Sequence, residues 1–205
     1  MGTDRLDEVL DAAYACLTRY GARRTTMDDI ASAMGVSRSA VYQYVRNKDD
    51  AFRRLAGRLH EEALRRARAA AASDAPYDER LHGVLAAKLD LVLQLAGDSP
   101  HATELLDGKA RLFGEICTAF TTGLRDLLTS LFTEAGTTEG VEPREAADIC
   151  VAMVIGLESM PSARDLLAPA TAALATGLLG APGAPRASRT PPPTPLTPSN
   201  PRGTP

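Results

Sequence analysis

Arg38, Ser39, Ala40, Tyr42, Gln43 and Tyr44 fall within one short stretch, and their types match what base pairs present in a groove. Arg and Gln form paired hydrogen bonds with base edges. Ser and Tyr hydroxyls serve bases or phosphate oxygens, and a small Ala meets a thymine methyl. Arg23, Arg24, Arg46, Lys48, Arg53 and Arg54 lie close by in sequence and supply charge for the phosphate backbone. Chemistry of this kind needs a rigid element that holds these side chains outward.

The surrounding sequence, TTMDDIASAMGVSRSAVYQYVRNKD over residues 25–49, predicts that element. Thr26 reads as a helix N-cap, and Asp29, three residues on, completes a capping box. Met27, Ile30, Ala31 and Met34 share one helical face. Gly35 stands where the chain must turn, since glycine adopts positive φ without steric cost. Val36 plugs the turn and Ser37 caps the next helix. Val41 and Val45, four apart, point inward. Small Ala31, Gly35 and buried Val41 set the register of two short helices, the second of a size to lie in a major groove.

The segment resembles the TetR family of bacterial transcription regulators. The match is carried by the helix LDEVLDAAYACLTRYG, by TTMDDIASAMGVSRSAVYQYV and by RNKDDAF, over roughly the first 60 residues. Val45 stands where many members carry Phe, and Ser39 where many carry Gly or Ala. The resemblance implies a homodimeric, all-α regulator with a three-helix DNA-binding domain and a larger ligand-binding domain. It implies DNA contacts for Thr26, Ser37, Arg38, Ser39, Ala40, Tyr42, Gln43, Tyr44 and Lys48.

Charge is distributed accordingly. The chain has a net charge of −3, but residues 1–68 hold 13 Lys+Arg against 10 Asp+Glu, while residues 69–205 hold 10 against 16. A mildly basic head on an acidic body fits contact with DNA through one end. Apolar content of 44% is enough for a core, with no Trp and only 4% aromatics. Cys16, Cys117 and Cys150 form no CxxC pair, which points to a reducing, cytoplasmic setting and to small buried hydrophobes. No signal-peptide pattern and no apolar run of membrane-spanning length is evident, so no membrane association is expected.

Four regions are expected: a DNA-binding domain over 1–48, a linking helix within 49–76, a helical regulatory and dimerisation domain over 77–180, and a Pro-rich tail over 181–205. Helical periodicity predicts segments at 4–20, 78–95 and 109–135, with a short helix or turn at 101–107. Two further segments, 144–160 and 162–179, are apolar around most of their circumference, the second interrupted at Pro169. This pair is expected to form an intermolecular four-helix bundle with a second copy. Nine of the last 25 residues are proline, which precludes a packed core there.

Leu89, Phe113, Ile116, Cys117, Phe120, Met153 and Met160 are candidate walls of an effector cavity. Few polar residues are expected to converge on it, which favours an uncharged or lipophilic effector. His60, His82 and His101 lack metal-ligand spacing, and no GxSxG, P-loop or GxGxxG motif is present. No cofactor and no enzymatic activity are expected. The reading is a ligand-responsive repressor that binds a palindromic operator as a homodimer. The alternatives are a helical protein-interaction module and a cysteine redox-responsive regulator.

Overall fold

The computed structural model describes residues 2–106 and 113–180. The proline-rich segment 181–205 and the first residues, 109–112, of the helix expected over 109–135 lie outside the described residues. Eight α-helices and one short 3₁₀ turn make up the described part, with no β-strand there beyond an isolated bridge between Thr137 and Leu179. The all-α expectation is therefore met. Among the described residues no helix is long and apolar enough to cross a membrane.

Helix α1 spans Gly2–Arg24, but Gly21 within it has φ 79° and ψ 159°, so the regular helix ends where glycine was expected to stop it. Val9, Leu10, Ala13 and Leu17 bury its inner face. Helix α2 is Met27–Met34 and helix α3 is Arg38–Val41. The long α4, Lys48–Ala71, follows an Asn47 cap whose side chain accepts the Asp50 amide. Phe52, Leu55 and Ala56 tie its first turns into the core of the head.

The body is α5 (Tyr77–Asp98), the 3₁₀ turn Ala102–Leu106, α6 (Gly114–Ala135), α7 (Pro143–Leu157) and α8 (Ala163–Leu178). Helix α5 lies centrally and packs on α4, α6, α7 and α8. Pro143 opens α7, where its missing N–H leaves no bond unmade. Helix α8 runs continuously through Pro169, which corrects the interruption expected from sequence. Pro169 forfeits one backbone bond on an exposed face, while Leu167 and Thr171 on either side are buried and hold the helix in line.

Three contacts clamp head to body away from α4. The Tyr14 hydroxyl donates to Asp98, Ser99 Oγ donates 2.8 Å to the Thr18 carbonyl, and the His101 ring packs over Gly21. Burial, followed by the bond to Asp98, pushes the Tyr14 hydroxyl well above its ordinary pKa. A Cβ at Gly21 would meet the His101 ring at 3.0 Å, and the backbone there suits glycine alone. Gly21→Ala is therefore expected to lose about 1–3 kcal/mol of stability in denaturant titration, and Gly57→Ala, in open space within α4, to lose none.

Candidate nucleic-acid interface and internal cavity

The turn between α2 and α3 is built from local chemistry. Thr26 Oγ accepts the Asp29 amide at 3.2 Å, and Asp29 Oδ2 accepts the Thr26 amide at 2.8 Å, so both halves of the capping box are made. The Thr26 hydroxyl, followed by its amide, donates to the Asp29 carboxylate and holds that carboxyl below its ordinary pKa. Gly35 closes α2 at φ 67°, and Ser37 Oγ accepts the Ala40 amide. Val41 and Val45 are fully buried, as are Ile30 and Ala31. The α-helical hydrogen-bond pattern covers only four residues of α3, and turns carry the chain on through Tyr44.

Outward from this scaffold stand Ser37, Arg38, Ser39, Tyr42 and Gln43, all exposed, with Ala40 and Tyr44 half-buried beside them. Arg38 is already organised. Its guanidinium bonds to Asp28 and to the Tyr42 hydroxyl, each at 3.0 Å, and lies over the Tyr42 ring. Arg38 and Tyr42 thus form one exposed unit, with Asp28 as its acidic partner. Thr26 is exposed at the start of α2. Lys48 differs from the rest, because its ammonium donates to the Ala22 and Arg23 carbonyls at 2.9 and 3.2 Å and so caps the end of α1. One of its three donors remains for another acceptor.

Helices α4, α5 and α6 and the end of α7 meet around a cavity of about 60 Å³. His60 comes from α4; Lys88, Leu91 and Val92 from α5; Cys117, Phe120 and Thr121 from α6. Glu158, just past α7, completes the polar wall. His60 Nδ1 bonds 2.8 Å to the Ala56 carbonyl, so that nitrogen carries the proton and Nε2 faces Cys117 Sγ at 3.7 Å. Burial lowers the His60 pKa, assisted by the Lys88 charge and opposed by the Ala56 bond. The Lys88 ammonium lies 2.7 Å from Glu158 Oε1 as an ion pair, and that buried oxygen accepts no hydrogen bond among the described residues. It also faces the Phe120 ring, which stands edge-on to His60.

The family model for bacterial regulatory proteins of the tetR family matches residues 9–55, the whole span of this capped turn and its supports. Over those residues the chain is similar to the TetR family. An uncharacterized HTH-type transcriptional regulator of Bacillus subtilis, YhgD, is 31% identical over 90 residues, covering 44% of this chain and 47% of that protein. The chain thus spans about half the length of that curated relative. A TetR/AcrR-family regulator from Thermobifida fusca superposes with a TM-score of 0.69 at 23% identity, covering 85% of this chain and 98% of its own. SmeT, the repressor of a Stenotrophomonas maltophilia multidrug efflux pump, superposes in its triclosan complex with a TM-score of 0.66 at 23% identity. That match covers 92% of this chain and 99% of SmeT. These superpositions extend the TetR-type fold to the body.

Of the residues nominated as cavity walls, Cys117 and Phe120 line the cavity. Leu89, Phe113, Ile116, Met153 and Met160 do not: the first two are buried in the core, and Met160 is exposed. Sequence reasoning missed His60, Lys88, Thr121 and Glu158, which make the lining more polar than expected. The one available signal was Lys88 within an apolar stripe of α5, flanked by buried Ala87 and Leu89. Among the described residues no group of His, Cys, Asp and Glu has the geometry of a metal site.

Because the folded His60 binds its proton more weakly than the unfolded value of 6.5, the stability it contributes is full above that pH. It is lost as pH falls through the window below, where the unfolded chain takes up the proton first. The thermal midpoint is expected to fall more steeply between about pH 7.5 and 5 for the native chain than for His60→Gln. Equal slopes would mean that His60 titrates normally.

Proposed function

We propose that this chain is a sequence-specific DNA-binding transcriptional regulator, acting as a ligand-responsive repressor on a near-palindromic operator. The observation that carries the reading is the exposed Arg38–Tyr42 unit, with Gln43 and Ser39 beside it, on a turn whose inward face is fully buried. The family match over residues 9–55 supports the same role. Thr26, Ser37 and Ala40 flank the contact surface. Tyr44 and the remaining donor of Lys48 sit within reach of the backbone at its edge.

A homodimer would supply two such helices. Ile149 and Ile155 of α7 and Met160 just beyond it are 43%, 46% and 44% exposed, unusual for large apolar side chains. Leu166, Ala170 and Leu174 of α8 are only half-buried. These faces support pairing of α7 and α8 with their copies in a four-helix bundle, leaving the heads free to span about one helical turn of DNA.

Regulation follows the layout. The cavity has one wall on α4, the helix whose first turns are packed into the head. A small molecule that moves His60 would shift α4 and strain the clamp at Tyr14, Ser99 and His101. Coupling of the usual size would lower operator affinity about 5- to 150-fold. SmeT, crystallised with triclosan, is a structural neighbour with a small molecule bound.

Arg38→Ala and Tyr42→Ala are each expected to weaken operator binding by about 1–3 kcal/mol in a gel-shift titration at fixed salt. If both variants hold DNA as the parent does, this surface is not the reader. Ile155→Lys is expected to shift the chain from dimer to monomer in sedimentation equilibrium, and an unchanged dimer would redirect the interface elsewhere.

A further inference from the structure

We propose that the body cavity takes a compact monocarboxylic acid, whose carboxylate replaces that of Glu158 on the Lys88 ammonium while its apolar part lies against Leu91, Val92 and Phe120. The inference deepens the reading of the body as an effector-binding unit and rests on it.

The two charges differ in how firmly they are held. Lys88 lies in the middle of α5 between buried Ala87 and Leu89, with 11% of its side chain exposed and its ammonium over Phe120. It is the more enclosed of the pair, anchored in the middle of the body's central helix. Glu158 is the C-cap of α7, followed directly by exposed Ser159 and Met160, and its side chain is 22% exposed. A small rotation takes that carboxylate to solvent. Lys88 is therefore the fixed partner and Glu158 the replaceable one.

Charge then selects the occupant. A buried ammonium stripped of its partner is strongly destabilising, so whatever displaces Glu158 must bring a negative charge of its own. A cationic ligand would have to displace Lys88, the less mobile partner. A neutral ligand would leave the pair intact and be limited to the small space already present. With Glu158 turned outward the cavity grows by the volume of that side chain, which still limits the occupant to a compact body. Thr121 lines the same space with its hydroxyl donated to the Cys117 carbonyl, and Phe120 and Leu106 offer apolar wall. Departure of Glu158 also frees the end of α7, next to exposed Met160, so occupancy would be felt at the proposed dimer face.

The test is calorimetric titration of the full chain with straight-chain and aromatic monocarboxylates, from acetate to decanoate and including benzoate. Each is paired with its own amide and amine. The best acid is expected to bind at least about tenfold more tightly than its amide, the advantage of a hydrogen bond to a buried charge. Glu158→Gln, which weakens the internal competitor, should tighten the acid further, while Lys88→Met should remove the preference for acid over amide. The inference is overturned if no acid in the series outbinds its amide and amine, or if Glu158→Gln weakens acid binding. Amine binding that Glu158→Gln abolishes would likewise overturn it in favour of a cationic occupant. Operator retention is measured separately. An acid that binds in the cavity without releasing DNA would spare this inference and count against the regulatory reading, whereas operator binding by a chain that takes up no acid of the series would overturn this inference and leave that reading standing.

Discussion

A helix of four residues cannot hold itself together in water, since nucleation fixes several dihedrals for very few hydrogen bonds. Helix α3 persists because Val41 and Val45 are pinned in the core of the head, where both are essentially inaccessible. Everything asked of the outward side chains depends on that burial. It fixes which way Arg38, Tyr42 and Gln43 point, and it lets the helix end at Tyr42 without losing its orientation. The caps at Thr26, Ser37 and Asn47 then remove the backbone groups that would otherwise compete for ligands. Lys48 fits the same logic: by holding the last carbonyls of α1, it fastens the supporting helix to the start of α4.

The fold joins its two halves through one continuous helix and one clamp. Helix α4 begins at its Asn47 cap beside the recognition turn and contributes His60 to the cavity in the body. The clamp runs from α1 to the end of α5 and the turn after it, through Tyr14, Thr18 and Gly21. Such a double attachment restricts the head to a few arrangements relative to the body. A packed interior changes by switching between discrete states rather than by continuous yielding. The polar chain from Ala56 through His60, Phe120 and Lys88 to Glu158 is the part of the interior best placed to differ between such states. It links α4, α5, α6 and the end of α7 through contacts that a bound molecule would rearrange.

Local features were readable from the sequence because their causes are local. The capping box at Thr26 and Asp29, the turn glycine at Gly35, the proline opening α7 and the burial of Val41 and Val45 each follow from a few neighbouring residues. Helix faces were legible for the same reason. What the sequence concealed was long-range. Nothing near His60 announces that it is buried against Phe120, sixty residues away. Nothing near Lys88 indicates a partner at Glu158. The half-buried Cys117, beside His60, differs from Cys150, whose burial pushes its thiol up to about 12, although both looked like small apolar fillers. Pro169 misled because a proline on an exposed helical face is tolerated when its neighbours are anchored.

The central claim is that a paired subunit presents this short helix to the groove of a duplex. Hydroxyl-radical footprinting of the full chain on the DNA upstream of its own coding sequence tests it most directly. Two protected patches related by a near-two-fold axis are expected, separated by about one helical turn or a little more, and both lost together in the Arg38→Ala variant. Protection confined to one patch, or protection that survives that substitution unchanged, would contradict it.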